Sequence, residues 1–364
     1  MFSKIRKFLG PKKLAEGNKI VVNCEKLETR VALLENGSLE EYTVERSNDE
    51  NIVGSIFKGI VRNIEPGLNA MFVDIGLEKN AFLHFWDAIP EALDSSLEEI
   101  QRNGGKNRSK SQQGGGGKGK GRHKKKRIQS KDIPNLYPVG SEVLVQVTKG
   151  PIGTKGPRIT TNISLPGRYM VLMPRNDQLG ISRKIDDPKE RARLRKIMSE
   201  KLTIPDKMGV ILRTVSAGQK VRYFVRDLAI LLDQWDEIEE EAANSKAPAC
   251  VFREPDLIER TVRDFLTDEI DEVLCDDSEA AERMKELIGI ISRRSKKRIQ
   301  FFETPVPIFE KLGIQHQIDD AFFRQVWLPS GGYLVIDETE ALIAIDVNTG
   351  RAKNQDKMIL QTNL

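Results

Sequence analysis

Residues Gln101–Lys131 hold twelve Lys/Arg, eight glycines and neither Asp nor Glu. A stretch of that composition cannot bury enough apolar surface to offset the entropy of ordering it. Alternating apolar runs lie on both sides of it, so the chain must adopt a fold that closes around a long excursion. The segment also carries the sign of the whole protein. The chain has 58 basic and 54 acidic residues; without the segment 46 basic residues face 54 acidic ones, a net charge of −8. We read it as a disordered basic loop that draws polyanions by its location rather than by bulk charge.

Five short β runs surround the loop. Ile52–Glu65, Ala70–Gly76 and Ala81–Trp86 precede it, and Glu142–Thr148 and Arg158–Ile163 follow, with glycine-containing turns between. That spacing predicts a small closed barrel interrupted between its third and fourth strands. Upstream, Ile20–Arg46 reads as strands folded at Asn36-Gly37, where both residues tolerate positive φ. Further strands fit Arg168–Met173 and Met208–Thr214, and Asp187-Pro188 starts a helix that runs to Leu202. Arg226–Ala243 reads as an acidic helix closed by Pro248. Asp256–Leu274 has the apolar spacing of one amphipathic helix, and Ser278 fits the cap of the next. Tyr333–Asp337 and Ala341–Val347 form a hairpin around Glu338–Glu340. The fold class is therefore α+β and multidomain.

Two groups of residues carry chemistry. On the barrel, Phe72, Phe82, Phe85, His84 and Trp86 fall near Lys58 and Arg62, with Lys149 and Lys155 in the loop joining the last two strands. Aromatics interleaved with basic residues on such a barrel stack bases and track phosphates, at roughly 1–3 kcal/mol per base. In the C-terminal hairpin, alternation puts Asp346 and Asn348 on one strand face, hard oxygen ligands of the kind Mg²⁺ takes. Asp337, at the end of the preceding strand, fits a turn role. Cys24, Cys250 and Cys275 are far apart and lack C-x-x-C spacing. That excludes a disulfide scaffold or a local zinc knuckle and fits a reducing cytoplasm. No apolar run approaches the ~20 residues that span a bilayer. Met1–Lys13 is a basic tail without a secretory apolar region, so any membrane association is weak.

Taken together, these segments resemble a known family. Gly54–Leu68 with Ala70–Gly76 resembles the S-one-type RNA-binding domain of the ribonuclease E/G family. Leu328–Leu342 running into Ile345–Thr349 resembles that family's catalytic signature. Gly167–Pro174, Gly180–Arg183 and Arg213-Thr214 resemble its 5′-end sensor. The match runs in one order from about Lys19 to the last residue, broken only by the basic loop.

The resemblance implies an endoribonuclease that hydrolyses single-stranded, A/U-rich RNA with Mg²⁺, in RNA processing (rRNA included) and mRNA decay. It assigns Asp346 and Asn348 to catalysis, with Asp346 on the metal. It assigns a 5′-monophosphate to Gly167, Val171, Arg213 and Thr214, and RNA contacts to Phe72, Phe82, Lys149, Lys155 and Arg183. It also implies a domain plan. After a basic tail (1–18), an RNase H-like subdomain is built from 19–48 and 247–321. An S-one-type OB-fold spans 49–158 with the insert at 101–131, and the sensor spans 159–246. A DNase-like nuclease subdomain begins at 322–364. Partners implied are single-stranded RNA, further copies of the full-length chain and RNA-decay proteins, in the cytoplasm.

One departure matters. The family's second metal-binding Asp lies in a later strand, and no such strand follows before Leu364. The cysteine motif that links protomers through Zn²⁺, and the oligomerisation domain beyond it, are likewise missing. The sequence thus reads as an N-terminal portion of a longer protein. An alternative reading is a non-catalytic RNA-binding fragment. A third, a translation or transcription factor or an exoribonuclease carrying such a barrel, leaves the Asp346 hairpin and the sensor-like strands without a purpose.

Overall fold

The computed structural model describes residues 17–47, 51–89, 97–100, 132–266, 269–291, 295–328, 331–339 and 342–349. The basic loop and nearly all of the N-terminal tail lie outside them. Along the chain, β1 (Asn18–Cys24), β2 (Glu28–Glu35) and β3 (Ser38–Arg46) come first. β4 (Ile56–Glu65), β5 (Ala70–Asp74), β6 (Ala81–His84) and β7 (Leu97–Ile100) follow. Next are a single helical turn α1 (Ile133–Leu136), β8 (Glu142–Lys149), β9 (Arg158–Thr160) and β10 (Leu165–Pro166). β11 (Met170–Pro174), β12 (Leu179–Ser182), α2 (Pro188–Glu200), β13 (Met208–Leu212), α3 (Val221–Asn244) and β14 (Ala249–Phe252) continue. Then come α4 (Leu257–Asp264), β15 (Glu272–Cys275), α5 (Ser278–Ile291) and β16 (Ile299–Phe301). α6 (Ile308–Lys311), α7 (Ile314–Ala321), β17 (Gln325–Trp327), β18 (Tyr333–Glu338) and β19 (Ile343–Asn348) complete the described elements. These form two compact units, one from 50–256 and one from 1–49 joined by 257–364.

The unit spanning 50–256 holds the barrel. Its strands run β4-β5-β6-β9-β8, and β8 pairs back onto β4 to close it. β4 makes closure possible by serving two neighbours: Ile56–Ile60 pair with β8, and Ile60–Glu65 pair with β5. Val61, Met71, Val73, Leu83, Val145 and Ile159 alternate inward and are fully buried. The five runs read from the sequence are these five strands.

A second sheet, β10-β11-β13-β12-β7, packs its buried residues Met170, Leu172, Ile181, Val210 and Leu212 against α2 and α3. Phe224, Leu228, Leu231, Trp235 and Ile238 make the apolar stripe of α3. Two placements differ from expectation. β7, just before the basic loop, pairs with β12, so that flank of the loop belongs to the second sheet rather than to the barrel. Ala249–Phe252, expected with the helices, pairs with β4, so the chain returns to the unit that holds 1–49 only after Asp256.

In the other unit the sheet order is β16-β15-β1-β2-β3, with β15 and β16 parallel to β1. The Asn36-Gly37 turn has both φ angles positive, as the hairpin signal requires. β1 is central: Ile20 and Val22 face the cluster made by α4 and α5, while Val21 faces α6 and α7. Asp256–Leu274 is not one helix. α4 stops at Asp264, and Val273-Leu274-Cys275 form a buried parallel strand against Ile20–Val22. A short apolar run fits either period, and pairing with a strand some 250 residues away decides it. The cap of α5 is Asp277 rather than Ser278, since its Oδ1 accepts from the Ala280 N–H at 2.7 Å. β17, β18 and β19 form a separate antiparallel sheet.

Candidate functional site

The barrel presents an aromatic face. Phe72 and Phe82 are cross-strand partners, both half-buried, with ring centroids 5.9 Å apart in an edge-to-face arrangement. His84 continues the row at 6.4 Å from Phe82. The loop bearing Lys155 is held beside them. Pro157 C=O accepts from Phe82 N–H at 2.7 Å, and Lys79 Nζ donates to Gly153 C=O at 2.7 Å. A Cβ on Gly156 would sit 2.1 Å from the Asn80 carbonyl oxygen, so this close approach demands glycine. Lys149 and Lys155 are both exposed.

Three expected members leave the group. Phe85 is 3% exposed and belongs to the barrel core. Lys58 is engaged by Glu142 and by the Ser245 carbonyl, each at 3.0 Å. Arg62 pairs with Asp74 at 2.7 Å and holds that carboxyl below its usual value. Exposed Trp86 remains at the edge.

A second group gathers at one end of the other sheet. Met170 on β11 and Ile181 on β12 both pair with Leu212 on β13, so the residues just beyond these strands meet. Arg213 Nη1 donates to Gly167 C=O at 2.7 Å, and the Ser182 and Thr214 hydroxyls lie 3.2 Å apart. Arg183 follows Ser182 and is exposed. Val171 lies within the sheet, paired with Pro166 and Ile211.

The turn before β11 is organised by Asp227 of α3. Its carboxylate accepts from the N–H groups of Arg168, Tyr169 and Met170 at 3.2, 2.8 and 3.2 Å. Burial pushes the Asp227 carboxyl up, against those three N–H donors. A Cβ on Gly167 would sit 2.8 Å from Asp227 Oδ2 and 2.9 Å from Leu231 Cδ1, so a larger residue there would displace both side chains. The turn after Thr214 is pinned from α2. Glu190 pairs with Arg193 and accepts from Gly218 N–H, while Arg193 Nη1 donates to Gln219 C=O. Arg193 is the main reason that the Glu190 carboxyl lies below its usual value.

The third group is in the other unit. Asn348 Nδ2 donates to Asp346 Oδ2 at 3.0 Å on the exposed strand β19. Asp337 does not serve the turn; it forms an ion pair with Arg324, which lowers its carboxyl. The turn rests instead on Thr339, whose hydroxyl donates to Leu342 C=O at 2.6 Å.

Sequence reading misses Ser182, Asp227 and one further cluster. Asp227 has a signal, an acid set among Phe224, Leu228 and Leu231 on the buried side of α3. The cluster is Cys24, Cys275 and Asp276, whose ligand atoms all lie within 4.8 Å of one another. Parallel pairing of β1 with β15 assembles it. The Asp276 carboxylate already accepts from Cys24 N–H at 2.8 Å and Asn23 Nδ2 at 2.5 Å. Cys275 accepts from Cys24, which raises the Cys24 thiol and lowers that of Cys275. Three ligand atoms are one short of a closed tetrahedral zinc site.

Residues 164–364 match the ribonuclease E/G family. Ribonuclease G of Escherichia coli (strain K12) is 34% identical over 348 residues, 95% of this chain and 66% of that protein. Ribonuclease E of Haemophilus influenzae is 36% identical over 351 residues, 95% of this chain and 34% of its own length. Ribonuclease E of Buchnera aphidicola is 35% identical over 327 residues, 89% of this chain and 31% of its own. The chain therefore spans just under two thirds of the ribonuclease G relatives and about one third of the ribonuclease E relatives.

Proposed function

The chain belongs to the ribonuclease E/G family, and on that premise we propose that it supplies the RNA grip and part of the catalytic centre of an endoribonuclease. The substrate is single-stranded, A/U-rich RNA, preferred when its 5′ end carries a monophosphate. The observation that carries this is the Asp346–Asn348 pair, two oxygen-bearing side chains held together on one exposed strand face.

Each group has a task. Arg213, with the Thr214 and Ser182 hydroxyls, offers a charged donor beside two neutral ones, the set that suits a terminal phosphate. Arg183 adds charge at the same sheet end. Phe72 and Phe82 stack bases, while Lys149 and Lys155 neutralise backbone phosphates. Asp346 and Asn348 fit Mg²⁺ in kind, because one carboxylate and one amide oxygen are the hard donors it takes. When bound, Mg²⁺ offsets the charge that builds on the phosphodiester during attack. We assign the second carboxylate ligand to the remainder of the full-length protein, together with the zinc-linked oligomer contacts and the sites for RNA-decay partners. The order β3-β2-β1-β15-β16 supports an RNase H-like reading of the mixed sheet. The spacing of Cys24, Cys250 and Cys275, without any C-x-x-C pair, favours a cytoplasmic location. Among the described residues, no helix is long and apolar enough to cross a membrane.

The test is cleavage of a 5′-monophosphorylated, A/U-rich RNA by the full-length protein with Mg²⁺ and with EDTA. Internal cutting in Mg²⁺ alone is expected; equal cutting in EDTA removes the metal from the assignment. A second reading, RNA binding without cleavage, draws on Asp337. It shares the strand face of Asp346 but is already taken by Arg324. Tight binding without any cut would favour it.

The basic loop should act as a tether. Deleting Gln101–Lys131 is expected to weaken RNA affinity and flatten its salt dependence, the slope falling by about 0.7 for each phosphate that is no longer neutralised. The preference for a 5′-monophosphate should survive, and its absence in the deletion protein would refute the tether.

A further inference from the structure

The sheet β17-β18-β19 has two unlike faces. Its register places Val326, Leu334 and Val347 in one cross-strand row and Ile336 with Ile345 in another, an aliphatic face. The opposite face carries Trp327, Tyr333 and Asn348 in one row, with Gln325, Val335 and Asp346 in the next. An aliphatic face suits packing by protein. A face that combines two aromatic rings with an amide and a carboxylate suits a ligand that is flat and polar at once.

The rings are already arranged. Trp327 and Tyr333 have centroids 5.0 Å apart with an interplanar angle of 52°, so the tyrosine buttresses one part of the indole. Trp327 is nevertheless 61% exposed, while Tyr333 is half-buried. Tyr333 is the direct cross-strand partner of Asn348, which holds Asp346 at 3.0 Å. Cross-strand partners in such a sheet lie about 5 Å apart, so the platform adjoins the Asp346–Asn348 pair.

We propose that Trp327 and Tyr333 form a nucleobase-stacking subsite that seats the base next to the scissile phosphate. This rests on the assignment of Asp346 and Asn348 to RNA cleavage and adds to it a binding site in the same unit. The occupant is a base of single-stranded RNA, since among the described residues the face offers a π surface and no cluster of cations to grip a duplex backbone. Stacking tolerates every base, so the subsite sets affinity and register rather than sequence. Arg324, held by Asp337, lies one strand end away and takes no part in the subsite.

The experiment uses the full-length protein and a defined single-stranded RNA. Trp327→Ala is expected to raise KM about tenfold with kcat nearly unchanged, and Trp327→Phe to recover most of that loss. An abasic nucleotide scanned along the RNA should give the same loss at one position beside the cut, and no further loss at that position in Trp327→Ala. Additive losses, or an unchanged KM in Trp327→Ala, would overturn the subsite.

A binding measurement separates this from failure of the cleavage assignment. An uncleavable 2′-O-methyl oligonucleotide should quench the fluorescence difference between wild type and Trp327→Phe. Quenching without any RNA cleavage keeps the subsite and removes the nuclease. If acrylamide cannot reach Trp327 in the full-length protein, the face is covered by protein and the subsite is refuted.

Discussion

Asp346→Ala in the full-length protein is expected to slow RNA cleavage by at least about a hundredfold while leaving RNA affinity within about twofold. The size follows from the role. A carboxylate that positions a metal contributes to the transition state, and several kcal/mol of charge stabilisation there converts to factors of a hundred or more. The same substitution should barely move stability, because Asp346 is exposed and its side chain bonds to its neighbour Asn348. Surface changes of that kind stay within about 0.5 kcal/mol. A loss of activity therefore cannot be ascribed to unfolding, which a urea melt would verify. Asn348→Ala should lose less, about tenfold, since it removes a neutral ligand and frees Asp346. Unchanged cutting by Asp346→Ala would sink the role given to this strand.

Asp227→Ala should produce the largest loss of stability. Three backbone N–H groups then lose a charged acceptor in a partly buried turn, which costs about 3 kcal/mol. The urea midpoint should fall accordingly. Any preference for a 5′-monophosphate should fall with it, because Gly167, whose carbonyl holds Arg213, sits in the same turn. The pH dependence has a definite sign. The folded Asp227 carboxyl titrates above its ordinary value of 3.8, so the folded state binds more protons than the unfolded one just above that pH. Its contribution to stability therefore declines as pH rises through that window. Glu190 acts in the opposite sense. Its contribution is present above the ordinary value of 4.5 and is lost as pH falls. Asp227→Asn should abolish the first trend and keep the second, read from urea melts between about pH 3 and pH 7.

What can be read from the sequence is whatever local pattern determines. The barrel strands show themselves by alternation, the Asn36-Gly37 turn by its tolerance of positive φ, and the Asp346–Asn348 pair by spacing of two on a strand. The basic segment stands out by composition, and the reading of it as a loop falls outside the described residues. What cannot be read depends on distant pairing. β15 looks helical until β1 claims it, and Cys24 meets Cys275 only through that same pairing. Lys58 looks available for phosphate until Glu142 and Ser245 close on it. Ser182 meets Thr214 because β12 runs parallel to β13, a fact of topology that no local signal carries. Trp327 escapes notice because a lone aromatic in a short strand reads as core, and only its exposure and its packing on Tyr333 give it another use.

The most direct measurement takes one internally labelled, single-stranded A/U-rich RNA prepared with a 5′-monophosphate or a 5′-hydroxyl, and maps the cuts made by the full-length protein in Mg²⁺. The account predicts internal cuts at the same positions for both ends, made faster on the monophosphate, with Arg213→Ala bringing the two rates together. Equal rates for the two ends in the wild-type protein, or products shortened stepwise from one end, would contradict it.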